Sequence, residues 1–436
     1  MSRRAPVPPG PISPTATPAF NWRVPALISL AVFAQESTWN FYDAQVPPLI
    51  QHYVSNAALI GLLMGLDNLV GVFVQPWMGS RSDRTRTRWG RRIPYLVVGA
   101  PIAAVLFSLV PFATSLPVLL LTMFSYGLVA NTYKPVAEAL MPDFVAAEHR
   151  SKANAITRIG TSLTIIVSAL VSLLFVDKNI KIAFAIPATM MVVCVAVVAL
   201  TVKERDSPGY RQALADRVDN KDEADQLESL RGVLKELLRD PDRRRLWMIA
   251  GVFLMAGAWG ASRALMTTYG INVLGMTAGS AGGIALPGGL AVIGAALPLA
   301  LLSDRIGRLR VIRWGMVVFI VAMLLGAVIR TPAGVIAATL LGSAGYAAYT
   351  VNAVVVMWDL APSHRAIGAY TALYGVANAT GNSLGPTIVG SLVTFTGWPF
   401  FLLDVAVVAF IAFLALTRVS RTSAVGVPAD GLAESK

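Results

Sequence analysis

Charge is what this sequence has least of. Of 436 residues, 14% are Asp, Glu, Lys or Arg and 55% are hydrophobic, whereas an ordinary soluble domain is about a quarter charged. A water-soluble globule is excluded. The single cysteine, Cys194, lies in an apolar run, which excludes a disulfide framework and a thiolate metal cluster. The three histidines, His52, His149 and His364, do not cluster, and neither an HExxH motif nor a phosphate-binding glycine loop occurs. The usual signs of a metalloenzyme or a nucleotide-driven pump are therefore missing, and no enzyme, metal site or cofactor is expected. Short alternating segments of the kind a membrane β-barrel needs are also absent. The first twenty residues are Pro-rich and polar, so targeting is expected to fall to the first membrane helix.

What the chain does have is apolar runs of membrane-spanning length, about twenty residues each. They predict twelve helices, near 24–44, 57–79, 93–113, 117–141, 154–176, 182–202, 246–270, 280–302, 311–329, 334–357, 366–391 and 397–417. The expected fold class is an all-α polytopic membrane protein of two pseudo-symmetric six-helix halves, residues 23–202 and 246–418. A polar linker, 203–245, joins them, and tails at 1–22 and 419–436 read as disordered. The linker contains a candidate amphipathic helix at Leu227–Leu238. The formal net charge is +12, and most basic residues sit in the gaps on one side of the spans, leaving Lys178, Lys181 and Arg330 on the other. That asymmetry predicts cytoplasmic termini in a multi-pass cell-membrane protein rather than a nucleic-acid binder.

Two motifs recur roughly 220 residues apart, as duplicated transporter halves do. GSRSDRTRTRWGRR, with Gly79, Asp83, Arg84, Gly90, Arg91 and Arg92, is echoed by LLSDRIGRLR, with Asp304, Arg305 and Arg308. MPDFVAAEHR, with Asp143 and Arg150, is echoed by MWDLAPSHR, with Asp359 and Arg365. Acidic residues in a basic loop contribute nothing to topology. They can form charge-assisted bonds that hold the cytoplasmic side shut, so these residues form the candidate cytoplasmic gate.

This organisation resembles the major facilitator superfamily. The longer first loop, VQPWMGSRSDRTRTRWGRRIP, is similar to that of the glycoside-pentoside-hexuronide:cation symporters and their sucrose/proton branch. The resemblance implies alternating access, a small-molecule solute such as a sugar, and a protein working as a monomer. Gly71 and Gln75 stand where the sodium-site aspartates of melibiose-type relatives would be expected, so the implied coupling ion is the proton rather than sodium.

Ionisable residues at bilayer depth are costly and usually face a cavity or a partner. Glu36, Asp67 and Arg263 are the candidate coupling residues, with Glu36 and Arg263 expected to face each other across the two halves. Gln35, Trp39, Asn131, Lys134, Tyr346, Tyr349 and Asn352 are the candidate substrate-binding residues, offering hydrogen bonds beside flat apolar surfaces. Lys134 and Glu138 lie one helical turn apart and can pair. Asp43 reads as too near the outer surface, and Trp259 as a packing or interfacial aromatic. The expected function is proton-coupled import of a sugar or related polar solute; export of an amphipathic compound is the alternative.

Overall fold

The structure is a computed structural model that describes residues 22–145, 149–215, 243–361 and 367–419. In hydrocarbon every backbone N–H and C=O must be satisfied within its own segment, which long helices achieve. The first half comprises α1 (Arg23–Gln51), α2 (Ala57–Arg84), α3 (Ile93–Leu109), α4 (Leu116–Phe144), α5 (Arg150–Val171) and α6 (Ile180–Thr201). A short helix, α7 (Pro208–Ala215), begins the linker. The second half comprises α8 (Arg244–Ala264), α9 (Met266–Leu274), α10 (Ala278–Gly282), α11 (Ala285–Ile306), α12 (Arg308–Ile329), α13 (Pro332–Asp359), α14 (Ile367–Thr396) and α15 (Phe401–Thr417).

Ten helical segments among the described residues are long and apolar enough to cross a membrane. The 29-residue α1 and 30-residue α14 match them in length, and with these the twelve expected spans are all long helices. Both are interrupted by polar residues, Glu36, Asn40 and Asp43 on α1 and Asn378, Asn382 and Ser383 on α14. Leu200, Val328 and Phe395 are more than four-fifths exposed, as side chains turned toward lipid would be.

Within the first half α1 packs on α4, α5 and α6, and α3 on α4 and α6; in the second, α8 packs on α14 and α15, and α13 on α11 and α12. The halves meet along two seams, α2 with α14 and α5 with α11. The α2 seam is close because Gly65 lies against the Ser383 carbonyl, where any added Cβ would collide.

Three spans differ from expectation, the one at 280–302 by a break at Gly283 and Ile284 between α10 and α11. The first helix does not stop near residue 44 but continues through Pro47 and Pro48 to Gln51. Prolines close to a helix end forfeit only the bonds of their own nitrogens, and both are buried. The span expected at 246–270 divides at Leu265, immediately after Arg263. The predicted Leu227–Leu238 helix lies outside the described residues.

Candidate functional site

Helical spacing places Glu36, Asn40 and Asp43 along one face of α1. That face, with α2, α4, α8, α13 and α14, encloses a cavity of about 410 Å³ lined by Trp39, Asn68, Gln75, Lys134, Trp259 and Tyr346 among others. A vestibule of about 980 Å³ continues past Glu138 to Met141, Thr157 and Trp358. These residues lie toward the end of the molecule that carries the basic loops, called the basic end below. A third, smaller cavity of about 70 Å³ lies on the other side of Arg263, walled by Ala44, Ala285, Val292, Phe319 and Met323. Arg263 borders all three.

Two ion pairs face this space. Lys134 Nζ lies 3.0 Å from a Glu36 carboxylate oxygen, joining α4 to α1 inside the first half. The Arg263 guanidinium lies 3.1 Å from Asp43 Oδ2 and also donates to Asn40 Oδ1, joining α8 to α1 across the halves. The expected facing of Glu36 and Arg263 is thus corrected: both border the chamber, but each pairs elsewhere. Asp43 is nearer to Arg263 because α1 runs two further turns beyond it, which moves Asp43 inward from the surface assigned by the shorter helix. Charges held away from bulk water interact strongly and are costly to leave unpaired. Such pairs are suited to exchanging partners when a proton or solute arrives.

Aromatic walls flank the charges. Trp259 and Tyr346 stack with ring centroids 4.0 Å apart and planes 3° from parallel. Across the chamber, Lys134 Nζ sits 5.9 Å from the Trp39 ring centroid. Trp39, Lys134 and Tyr346 line the chamber, and Trp259, a candidate packing or interfacial aromatic, lines it with them. Gln35, Asn131, Tyr349 and Asn352 are buried behind the wall instead. Gln35 is one residue out of phase with Glu36, and Asn352 donates to the Ala348 carbonyl of its own helix. Asn131 bonds Gln75 and the Asp67 carbonyl, so its neighbour Gln75 reaches the chamber in its place. Asp67 is buried between α2 and α4, with Oδ1 accepting from the Asn68 N–H, and does not line the cavities described.

At the basic end, Arg91 and Arg92 are buried and both reach Asp143 at 2.5 Å, while Asp83 lies 3.1 Å from Arg92 and 3.5 Å from Arg91. Glu204, in the polar linker, completes the cluster. Its carboxylate accepts from the backbone N–H groups of Arg91, Arg92 and Ile93 at the start of α3, a position that favours negative charge. Gly90 makes room for it, with φ +113° and Glu204 directly over its Cα. Among the described residues these contacts tie α2, α3, α4 and the linker together. Gly79 has open space where a side chain would go, and Arg84 ends α2. In the second half Arg308 meets Asp359 at 3.4 Å in an exposed pair, and Asp304 and Arg305 close α11. Arg365 lies outside the described residues, as does the side chain of Arg150. Glu204→Ala is expected to strip three buried N–H groups of their acceptor. Stability should fall by about 2 to 4 kcal/mol, read as a lowered thermal midpoint of the purified protein.

The family profile described as Major Facilitator Superfamily matches residues 28–298 and 288–433. The human membrane-associated transporter protein is 35% identical over 69 residues, 16% of this chain and 13% of that protein. The methylenomycin A resistance protein of Streptomyces coelicolor is 35% identical over 107 residues, 24% of this chain and 22% of that protein. The matched stretches thus span less than a quarter of either relative. Among solved structures, a nucleoside transporter aligns over 92% of this chain and 100% of its own with TM-score 0.72 and 14% identity. A bacterial homolog of the human lysosomal transporter Spinster, inward-facing and unoccupied, aligns over 92% and 98% with TM-score 0.68 and 14% identity; at that identity the likeness is one of fold. The profile covers nearly the whole chain, and with it this chain belongs to the Major Facilitator Superfamily.

Proposed function

We propose that this chain is a secondary transporter that imports a sugar or related polar solute with protons, by alternating access of a central chamber between two rocking halves. The observation that carries this reading is the pair of ion pairs bordering one aromatic-walled polar chamber, one within a half and the other between halves. Hydroxyl-bearing solutes need converging donors and acceptors beside a flat apolar face, and Asn68, Gln75, Asn378 and Asn382 with Trp39, Trp259 and Tyr346 offer both. Glu36 and Asp43 are the proposed proton-responsive groups, since protonating either would free its cation for the solute. The positive-inside bias supports placing the basic end and both termini in the cytoplasm of a cell-membrane protein, so the conformation is inward-facing. The loop resemblance to sucrose/proton symporters supports the sugar and the proton over sodium, and the complete chamber within one chain supports a working monomer.

Export of an amphipathic compound is the second reading. It draws on the small apolar cavity beyond Arg263 and on the resistance protein among the relatives. Uptake of a panel of radiolabelled neutral and acidic mono- and disaccharides into proteoliposomes separates the two. Import of at least one sugar, stimulated by an inward proton gradient, is expected; transport of amphipathic compounds with none of the sugars would favour the exporter.

A further inference from the structure

Opposite the basic end, the connections between helices carry Lys178, Arg330 and one carboxylate, Asp177, with Lys181 in the first turn of α6 and Asp404 in that of α15. Asp177 follows a single π-helical turn, Ser172–Val176, that ends α5; such turns are rare and frequently occur at functional sites. The turn delivers Asp177 to the other half. Its Oδ2 accepts from the Thr277 hydroxyl at 2.6 Å and its Oδ1 from the Gly279 backbone N–H at 2.8 Å, both at the start of α10. Gly279 is packed so closely that an added Cβ would meet the Asp177 carboxylate and the Ser172 carbonyl. Beneath this contact, buried Gln45 of α1 donates to Ser172 Oγ at 3.0 Å and to the Ala278 carbonyl at 3.3 Å.

These bonds cross between the halves at the end away from the vestibule, where an outward-open state would have to part them. Asp177 is exposed, so water can replace its partners when they leave. A buried carboxylate such as Glu204 would pay heavily for the same step. We propose that Asp177 is the latch of this end: it holds Thr277 and Gly279 while the chamber opens toward the basic end and releases them when the halves rock the other way. The proposal rests on the rocking-halves reading but on neither the solute nor the coupling ion.

The test is a distance measurement by pulsed electron spin resonance. Labels go on Ser55→Cys and Ala333→Cys, exposed positions at this end of the two halves, in a Cys194→Ala background reconstituted in lipid nanodiscs. Asp177→Ala is expected to raise the ratio of the long-distance to the short-distance population about tenfold, the worth of charge-assisted bonds lost from one state only. Thr277→Val, made on the opposite half, should shift it in the same direction, and the double variant no further than Asp177→Ala alone. Lys178→Ala, on the same connection, should leave it unchanged. Gly65→Trp, which forces the α2 seam apart, supplies the open reference. Unchanged distances in Asp177→Ala and Thr277→Val beside a lengthened Gly65→Trp would overturn the latch and leave rocking intact. Unchanged distances in all three would remove the rocking reading, and the latch with it.

Discussion

Arg263→Ala is expected to reduce transport about a hundredfold while leaving the protein folded. The substitution strands Asp43 without its cation, takes a donor from Asn40 and removes the side chain bordering all three cavities. Removing one partner of a buried ion pair costs about 3 to 5 kcal/mol. Here the two side chains keep 32% and 18% of their exposure, so solvent screening discounts the figure to about 2 to 3 kcal/mol, roughly a hundredfold. Arg263→Lys should restore part of the rate, since both bonds come from the single nitrogen Nη2 and a lysine ammonium also carries several donors. Initial uptake rates normalised to reconstituted protein check this. A rate in Arg263→Ala above half that of the unmodified protein would remove Arg263 from the proposed site.

Glu36→Gln is expected to separate coupling from movement. The amide keeps the shape of the side chain but cannot carry a proton on and off, and it removes the Glu36 carboxylate from Lys134. In the proposed cycle the variant still exchanges internal for external solute, because the rocking of loaded halves needs no change in protonation. Accumulation against a gradient does need it, so the steady-state internal concentration should fall to the external level. Counterflow and net uptake, measured on the same vesicles, read the two properties separately. Full accumulation by Glu36→Gln would move the coupling role to Asp43.

The spans were legible because hydrocarbon imposes a length and an apolar composition on each one, and α2 to α6 begin and end close to where their apolar runs do. Legible too was the first-half cluster of Asp83, Gly90, Arg91, Arg92 and Asp143, since acids in a basic loop stand out against the topological background. Glu204 was not: one acid among many in a polar linker carries no mark of the three N–H groups it will meet. Asp43 was misplaced for a different reason. The first apolar run ends near residue 44, and a helix ending there puts Asp43 near the surface. Residue type without helical phase accounts for Gln35, Asn131, Tyr349 and Asn352, polar or aromatic side chains on the right helices that turn away from the chamber. Ion-pair partners were the least legible feature, because Arg263 with Asp43 and Lys134 with Glu36 depend on how separate helices lie beside one another.

The measurement that bears most directly on proton-coupled import is accumulation of a transported sugar by proteoliposomes under an imposed inward proton gradient, followed by addition of a protonophore. The proposed mechanism predicts that the internal concentration rises above the external one while the gradient stands and returns to it when the gradient is collapsed. Accumulation that survives the protonophore, or solute driven outward by the same inward gradient, would contradict it.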